Sequence, residues 1–343
     1  MLFVFIIYYM LFYSFKNYLK DRFPGLKVYK IALDAGFTCP HRPQRDRVQR
    51  TSDTRAGGCI YCENRSFSPY ARLPIRPPIS EQIAKAMDFY RQRHKADKFI
   101  IYFQAYTNTL GPVDKLKALY DEALNHQDIV GLAIGTRPDC VPDQTLDLIT
   151  GYTKKYDVWL EYGLQSAHDK TLEFINRGHK YADFADAVKR TKGRGISIAA
   201  HLILGLPGAA HTGEPRPARL AERERGWEGR ETKDDMLQSV QKVVDLGING
   251  IKLHHLYVAQ NTQLAELYKQ GQIKLFTLEE YIPLVCDIIE RLPAKMVVQR
   301  LTGELSGEYL IAPQWNTSKS AIIRMIEEEL TKRNSYQGKK YPF

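Results

Sequence analysis

Short apolar runs rich in β-branched and aromatic residues alternate along the chain with longer segments whose apolar residues recur at helical spacing. Six of the short runs are predicted strands: 27–34, 98–105, 129–136, 157–163, 196–204 and 250–257. Between them, 79–94 and 112–126 have the pattern of amphipathic helices, and Pro112 stands at a helix-start position. Six strand–helix units in series predict an α/β fold with a parallel sheet, either doubly wound or curled into a full or partial barrel.

The alternation loosens after residue 260, and this change predicts the domain organisation. We expect an apolar N-terminal extension at 1–15, a core at 16–260 and a C-terminal extension at 261–343 that packs on the barrel. The C-terminal extension contains helical patterns and one further strand-like run at 295–301.

Two stretches inside the core, 43–55 and 209–230, are rich in Arg and contain no Lys. Each mixes acidic and basic residues and has no apolar period, so each is predicted to be a flexible inserted loop that buries little surface. We interpret both as insertions without a functional role, with RNA-binding loops as the alternative.

The opening segment MLFVFIIYYMLFYSF is apolar at all but one of its fifteen positions. It is shorter than the roughly 20 residues that a membrane-spanning helix needs. A secretory signal would need a basic start and a small-residue cleavage site, and this segment has neither. We interpret it as a non-essential extension and expect no stable membrane association, with a membrane anchor as the alternative.

The chain has 343 residues, of which 44% are hydrophobic, so it can fill a large core and is not disordered. Its net charge of +10 and pI near 9.2 favour a polyanionic partner, although a basic protein without such a partner has the same composition. The five cysteines are too few and too unevenly spaced for a secreted disulfide scaffold, which predicts a reducing, cytoplasmic location. Cys140 and Cys286 are interpreted as packing residues.

The other three cysteines follow the first predicted strand with the spacing C-x19-C-x2-C, at Cys39, Cys59 and Cys62. Without the insertion at 43–55 the first gap would fall to six residues, so the three thiols could line one loop at the carboxyl ends of the strands, where barrel active sites lie. Three thiolates are one short of a closed zinc site, whereas a [4Fe-4S] cube held by three cysteines keeps one iron open. Spacing alone also permits a zinc knuckle completed by His41, or ordinary thiols.

Six segments, in this order, resemble the radical S-adenosylmethionine (radical SAM) superfamily, and specifically the bacterial group related to the Elongator catalytic subunit. The segments are DAGFTCP (34–40), GGCIYCENRSF (57–67), YFQAYTNT (102–109), GTRPDC (135–140), LEYGLQSAHDKTLEFINRGH (160–179) and HLILGLPG (201–208). The resemblance extends from about residue 16 to the C-terminus. It implies a partial (β/α)6 TIM-like barrel with a C-terminal α/β extension. The chain departs from the family in its longer cysteine loop and in the 22-residue insertion before ETKDDM (231–236).

This resemblance also implies the cofactors, a [4Fe-4S] cluster and S-adenosylmethionine (SAM). Cys39, Cys59 and Cys62 would hold the cluster, and Tyr61 would lie against the adenine of SAM, because a flat base suits aromatic stacking. In this family an electron from the reduced cluster cleaves SAM, and the resulting 5′-deoxyadenosyl radical removes a hydrogen atom from the substrate. A reductant such as flavodoxin or ferredoxin is therefore an expected partner.

Two polar residues twelve positions apart are the main candidates for binding SAM. Gln165 would offer its amide to the ribose or the methionine group, and Arg177 would form a fork to the carboxylate. Glu161 lies on the same strand face as Gln165 and is a further SAM candidate. Its alternative role is that of an interior carboxylate paired with Arg137 or Lys252.

Other strand-end residues extend this predicted SAM site. Thr136 and Arg137 would lie along the ribose, Asn108 near the amino group, and Gly205 would present backbone to the adenine edge. His254 and His255 are adjacent on the last predicted strand, so only one of them is expected to face the cavity. No general acid or base is assigned.

The relation to Elongator implies that the substrate is tRNA, modified at C5 of the wobble uridine. Close bacterial relatives are associated with trimming a carboxymethylaminomethyl group there to aminomethyl, and the basic charge agrees with an RNA partner. No acetyltransferase domain is recognised, so the acetyl-CoA chemistry of Elongator is not expected. The alternatives are a radical SAM enzyme for a small molecule or cofactor, and a non-catalytic, metal-stabilised RNA-binding protein.

Overall fold

The computed structural model describes residues 10–40, 58–66, 68–208, 230–303, 305 and 307–341. Its strands are β1 Val28–Leu33, β2 Lys98–Phe103, β3 Ile129–Thr136, β4 Asp157–Gln165, β5 Ser197–Leu204, β6 Gly250–His255, β7 Val258–Ala259, β8 Val297–Arg300 and β9 Leu310–Ala312. Its helices are α1 Phe15–Arg22, α2 Ile79–His94, α3 Val113–Leu124, α4 Asp143–Tyr152, α5 Asp169–Phe174, α6 Tyr181–Thr191, α7 Lys233–Asp245, α8 Gln263–Lys269, α9 Leu278–Ile289 and α10 Lys319–Lys332.

In the described part of the chain, seven parallel strands form one sheet in the order β1-β2-β3-β4-β5-β6-β8. Each main strand therefore lies beside its neighbour in sequence, and the order never reverses as it does in doubly wound folds. The sheet curls into a partial TIM-like barrel with helices outside, which confirms the predicted fold class.

The sheet has one strand more than the six predicted. Strand β8 comes from the run at 295–301 that was assigned to the C-terminal extension, and it pairs in parallel with β6. Helix α9 supplies the connection between the two strands, so the strand–helix repeat continues beyond residue 260. Strands β7 and β9 form a separate antiparallel pair.

Residues 10–15 are part of the fold, in contrast to the extension expected at 1–15; residues 1–9 lie outside the described residues. Phe12 is buried in the main core, and Ser14 forms a parallel bridge to Val298 at the outer edge of β8. The Tyr13 amide donates to Gln337 Oε1 at 2.7 Å, which ties this segment to the C-terminal region. Within the described ranges, no helix is both long and apolar enough to span a bilayer.

The predicted insertions lie almost wholly outside the described residues, with Arg230 as the exception. Its side chain is fully buried, lies 4.1 Å from the centroid of the Phe276 ring and donates to Glu280 Oε1 at 2.8 Å. The last residue of the segment 209–230 is therefore fixed in the core, and the prediction of a flexible loop is wrong at this position.

The amino-terminal end of the barrel is closed by aromatic side chains. Trp159 points inward from β4, and the rings of Phe15 and Tyr18 on α1 meet it edge-on at 5.9 and 5.2 Å. The Tyr18 hydroxyl donates to Asp157 Oδ1 at 2.7 Å. Because alternate residues of a strand share a face, Glu161, Gly163 and Gln165 follow Trp159 in ascending order toward the open end.

Candidate active site

A cavity of about 670 Å³ opens at the carboxyl ends of the barrel strands, above the Trp159 plug. Nine of the sequence-predicted site residues line it: Cys39, Cys59, Tyr61, Cys62, Thr136, Arg137, Glu161, Gln165 and Arg177. The fold therefore brings together residues that are separated by up to 138 positions in sequence, from 39 to 177.

The turn that carries Cys59 and Cys62 is fixed by backbone hydrogen bonds. The Cys62 amide donates to the Cys59 carbonyl at 3.0 Å, which closes the turn. The Ile60 amide donates to the Ile175 carbonyl at 3.1 Å, and the Ile60 carbonyl accepts from Leu264 at 2.9 Å. Because both partners belong to other elements, the two thiols have a defined position relative to the barrel.

The side chain of Arg177 links the Cys59 thiol to strand β4. Its Nε and Nη2 donate to the Gly163 carbonyl at 3.2 and 2.6 Å, and its Nη1 lies 3.6 Å from Cys59 Sγ. The guanidinium is buried, and its donors point at the sheet and the cysteine turn. The structure thus gives Arg177 contacts with the Gly163 carbonyl and with a thiol. Its predicted fork to the carboxylate of SAM stays a prediction.

Gln165 ends β4 in a left-handed backbone conformation, with φ of 76°. Its side-chain Oε1 is buried and has no hydrogen-bond partner in the structure. A Cβ at Gly163 would lie 2.8 Å from Gln165 Nε2 and 2.9 Å from Arg177 Nη2, so only glycine lets both side chains occupy these positions.

Arg137 and Thr136 form the wall at the end of β3. Arg137 makes a two-pronged ion pair with Asp139, with distances of 2.9 and 2.8 Å, while its buried Nη1 has no partner in the structure. Thr136 Oγ1 lies 2.6 Å from Thr109 Oγ1. Arg137, which is only 2% exposed, therefore keeps one hydrogen-bond donor, Nη1, without a partner in this wall.

Glu161 lies at the floor of the cavity in an ionic cluster. Its two oxygens accept from Lys30 and Lys252, each at 2.6 Å, and Lys252 also donates to the Tyr102 hydroxyl at 2.9 Å. Burial alone would raise the pKa of Glu161, but the two lysines outweigh it and hold that pKa well below its ordinary value. Burial lowers the pKa of Lys252 to about 7, against the opposing effect of Glu161. The alternative role predicted for Glu161 was an ion pair with Arg137 or Lys252. The structure shows the pair with Lys252, whereas Arg137 pairs with Asp139.

Asn108 and Gly205, both predicted at the SAM site, lie outside the cavity wall. The Asn108 amide donates to the carbonyls of Phe103 and Gly135 at 3.1 and 2.7 Å and so joins the ends of β2 and β3. A Cβ at Gly205 would lie 2.6 Å from the Phe276 ring, so the close approach at this glycine is made by an aromatic side chain. Sequence position identified the correct strand ends but not the direction in which these residues face.

The opposite wall, from β5, β6 and β8, carries His201, Lys252, His254, His255 and Arg300. Both His254 and His255 line the cavity, which corrects the expectation that only one could, because β6 ends at His255 and the strict alternation ends with it. Burial lowers the pKa of His255 to about 4 and those of His201 and His254 well below the ordinary value.

Family models match both parts of the chain: Radical SAM superfamily at residues 56–211 and Radical_SAM C-terminal domain at 248–332. YtqA of Bacillus subtilis is 32% identical over 328 residues, which cover 96% of this chain and 92% of YtqA. The chain belongs to the radical SAM superfamily. As a radical SAM enzyme it uses a [4Fe-4S] cluster and SAM.

More distant relatives of this radical SAM protein carry tRNA-related names. A tRNA uridine(34) acetyltransferase of Methanocaldococcus jannaschii is 24% identical over 193 residues, which cover 56% of this chain and 31% of that protein. The solved structure of Methanocaldococcus infernus Elp3 with an N-terminal deletion matches with a TM-score of 0.59 at 16% identity, covering 91% of this chain and 64% of that chain. At this identity the structural likeness shows a common fold.

The cavity fits the two radical SAM cofactors. The described residues contain no group of three His, Cys, Asp or Glu side chains close enough to hold a single metal ion. A cube is compatible with this spacing because each cysteine binds a different iron atom. The unpartnered buried atoms of Arg137 and Gln165 provide a donor and an acceptor for a zwitterionic ligand. His41, which a zinc knuckle would need, lies outside the described residues.

Three polar residues in or beside the cavity of this radical SAM protein were missed at the sequence level. His201 and Arg300 line the cavity, and Lys30 pairs with Glu161 at its floor; each is a polar residue within a short strand. A polar residue at the inward position of such a strand is a signal that could have identified them. Cys140 and Cys286 are buried, in agreement with packing roles.

Proposed function

We propose that this radical SAM enzyme modifies the C5 substituent of the wobble uridine in tRNA and trims a carboxymethylaminomethyl group to aminomethyl. The observation that carries the proposal is the charge of the cavity wall. Among described residues, five basic side chains and two carboxylates line it: Arg72, Arg137, Arg177, Lys252 and Arg300, with Glu63 and Glu161. A wall of this charge favours an anionic ligand, and the chain as a whole, at +10, favours a polyanion such as tRNA.

Cys39, Cys59 and Cys62 are the proposed ligands of the cluster. The backbone bonds of Ile60 hold the two-cysteine turn against the barrel, and Arg177 positions the Cys59 thiol. Iron in such clusters is bound by the thiolate form of cysteine. When bound, the reduced cluster and SAM supply a 5′-deoxyadenosyl radical that removes a hydrogen atom from the substrate.

Arg137 and Gln165 are the proposed contacts of SAM's polar groups. The free Nη1 of Arg137 suits a carboxylate, and the free Oε1 of Gln165 accepts from a hydroxyl or ammonium group. We assign the carboxylate to Arg137 because the donors of Arg177 are engaged by Gly163 and Cys59. Thr136 lies beside Arg137 on the same wall, and Tyr61 is proposed to lie against the adenine.

The direct test is anaerobic reconstitution followed by reduction in the presence of SAM, with flavodoxin or ferredoxin as the electron donor. We expect 5′-deoxyadenosine to form and its rate to rise when tRNA carrying the carboxymethylaminomethyl group is added. Mass spectrometry of the wobble nucleosides should then show aminomethyluridine.

SAM cleavage that does not respond to tRNA would overturn the tRNA proposal while leaving a radical SAM enzyme for a small molecule. A zinc-containing protein without SAM cleavage would contradict the cluster assignment itself. Unmodified tRNA, which lacks the substituent, is the matched control substrate.

A further inference from the structure

One row of inward-facing residues crosses the barrel from the cysteine turn to the opposite edge of the sheet. In the strand register, Gly163 on β4 pairs with His201 on β5, His201 with Lys252 on β6, and Lys252 with Arg300 on β8. All four line the cavity. Neighbouring strands lie about 4.8 Å apart, so Arg300 lies roughly 14 Å along the curved sheet from Gly163.

The row begins at the proposed cofactor site, since the Gly163 carbonyl accepts from Arg177, which contacts Cys59. It ends at Arg300, whose guanidinium has no hydrogen-bond or ion-pair partner among the described residues. Arg300 is partly buried in the cavity wall, and a guanidinium that faces a cavity without a counter-charge is available to bind an anion.

The neighbours of Arg300 do not supply a counter-charge. The carboxylate of Glu161 is engaged on both oxygens by Lys30 and Lys252. His201 is half-buried, and its buried Nε2 has no partner in the structure. Lys252 and Arg300 are partners in the strand register, so the two cations are neighbours. This corner of the cavity therefore has a surplus of positive charge.

We propose that Arg300 binds the carboxylate of the substrate's C5 substituent and thereby selects the carboxymethylaminomethyl form over the aminomethyl form. This inference rests on the proposed function. A cavity of about 670 Å³ has room for a nucleoside substituent but not for the backbone of a folded tRNA, so we expect the substituent to be the part that reaches Arg300. An arginine suits a carboxylate because its planar fork can donate two parallel hydrogen bonds.

The test measures binding by the reconstituted holoenzyme with SAM under anaerobic conditions. Two synthetic anticodon stem–loops differ only in carrying carboxymethylaminomethyluridine or aminomethyluridine at the wobble position. We expect the wild type to bind the carboxylated form about 10- to 100-fold more tightly, the range for a hydrogen-bonded charge pair. Arg300→Gln should remove this preference, and Arg300→Lys should retain part of it.

The matched control is Arg324→Gln on α10, because that side chain is 71% exposed and pairs with Glu328. Its preference should equal that of the wild type. Formation of 5′-deoxyadenosine without substrate shows whether Arg300→Gln retains its cluster and its SAM site. Loss of that activity with an assembled cluster would assign Arg300 to SAM and overturn the inference.

Equal binding of the two stem–loops by the wild type would also overturn the inference, whatever the variants do. So would a preserved preference in Arg300→Gln. If tRNA neither binds nor stimulates SAM cleavage in the wild type, the proposed function fails and the inference falls with it. These outcomes separate the Arg300 assignment from the tRNA assignment.

Discussion

The two halves of the cavity differ in the environment of their polar side chains. We define the cysteine half as Cys39, the Cys59–Cys62 turn and the ends of β3 and β4. Here Arg177 is held by the Gly163 carbonyl and Arg137 by Asp139, while Arg137 Nη1 and Gln165 Oε1 are buried without partners. In the histidine half, defined as His201, Lys252, His254, His255 and Arg300, burial lowers the pKa values of the three histidines and the lysine.

This contrast indicates different tasks for the two halves. Side chains that are held in place but keep an unpaired hydrogen-bond donor or acceptor suit a ligand of constant shape, such as a cofactor. Neutral imidazoles around one permanently charged arginine suit a site that discriminates between ligands by a single charge. The predictions below test each half separately.

The largest effect is expected from Cys59→Ser, which removes a proposed cluster ligand from the cysteine half. A serine hydroxyl is a poor ligand for iron, so we expect loss of the cluster's visible absorbance and of 5′-deoxyadenosine formation. The matched control is Cys140→Ser, which changes a buried cysteine outside the proposed ligand set. Equal cluster content in both variants would contradict the ligand assignment.

The variant Glu161→Gln tests the ionic cluster at the floor of the cavity, where the Glu161 carboxylate pairs with Lys30 and Lys252. Breaking a buried ion pair from one side typically costs 3–5 kcal/mol. We expect about 3 kcal/mol at pH 7, the lower end, because Lys252 has a pKa of about 7 and can release its proton. Denaturant unfolding measures the loss.

The control for the floor is Glu328→Gln, whose side chain is 68% exposed and should change stability by no more than about 0.5 kcal/mol. A Glu161 variant as stable as this control would show that the lysines do not depend on the carboxylate.

The histidine half should give the protein an acid-sensitive stability. The pKa of His255 is about 4 in the fold and about 6.5 when unfolded, so the unfolded state binds more protons between these values and stability falls as pH decreases. From pH 7 to pH 5 this group alone accounts for about 2 kcal/mol. The variant His255→Gln should lose about that much less than the wild type over the same interval. Parallel pH profiles of urea unfolding for the two proteins would refute the assignment.

The smallest effect, and the sharpest test of the cysteine half, is expected from Gly163→Ala. The added Cβ would displace Gln165 and Arg177 by several tenths of an ångström, so we expect the KM for SAM to rise about 10-fold. Gly151→Ala is the control, since a Cβ there meets nothing within 4 Å and the residue lies in α4. That variant should keep its KM and gain up to about 1 kcal/mol of stability. An unchanged KM in Gly163→Ala would separate these two side chains from SAM binding.

The strands were predictable because each is a short apolar run bounded by turn residues, and each of the six predicted runs overlaps an observed strand. The seventh strand was missed as a barrel member because β8 has four residues and follows a stretch of helices. Similarly, the motifs located the strand ends that meet at the cavity. They could not show that Asn108 bonds across two strand ends, or that Phe276 approaches Gly205, because both depend on tertiary packing.

The importance of Arg300 was least accessible from sequence. It depends on the register that aligns this residue with Lys252 and His201, and register between distant parallel strands is set by the whole sheet. Its closest sequence neighbours gave no indication of a cavity.

Strand β8, which carries Arg300, is held at its outer edge by both ends of the described chain. The Val298 amide donates to the Tyr13 carbonyl at 2.8 Å, and Gln337 bonds Tyr13 in turn. Affinity tags, fusion partners or truncations near either terminus would therefore act on the strand that bears the specificity residue. A circular permutant in which a linker joins the two termini would keep both attachments and is the better starting point for engineering this enzyme.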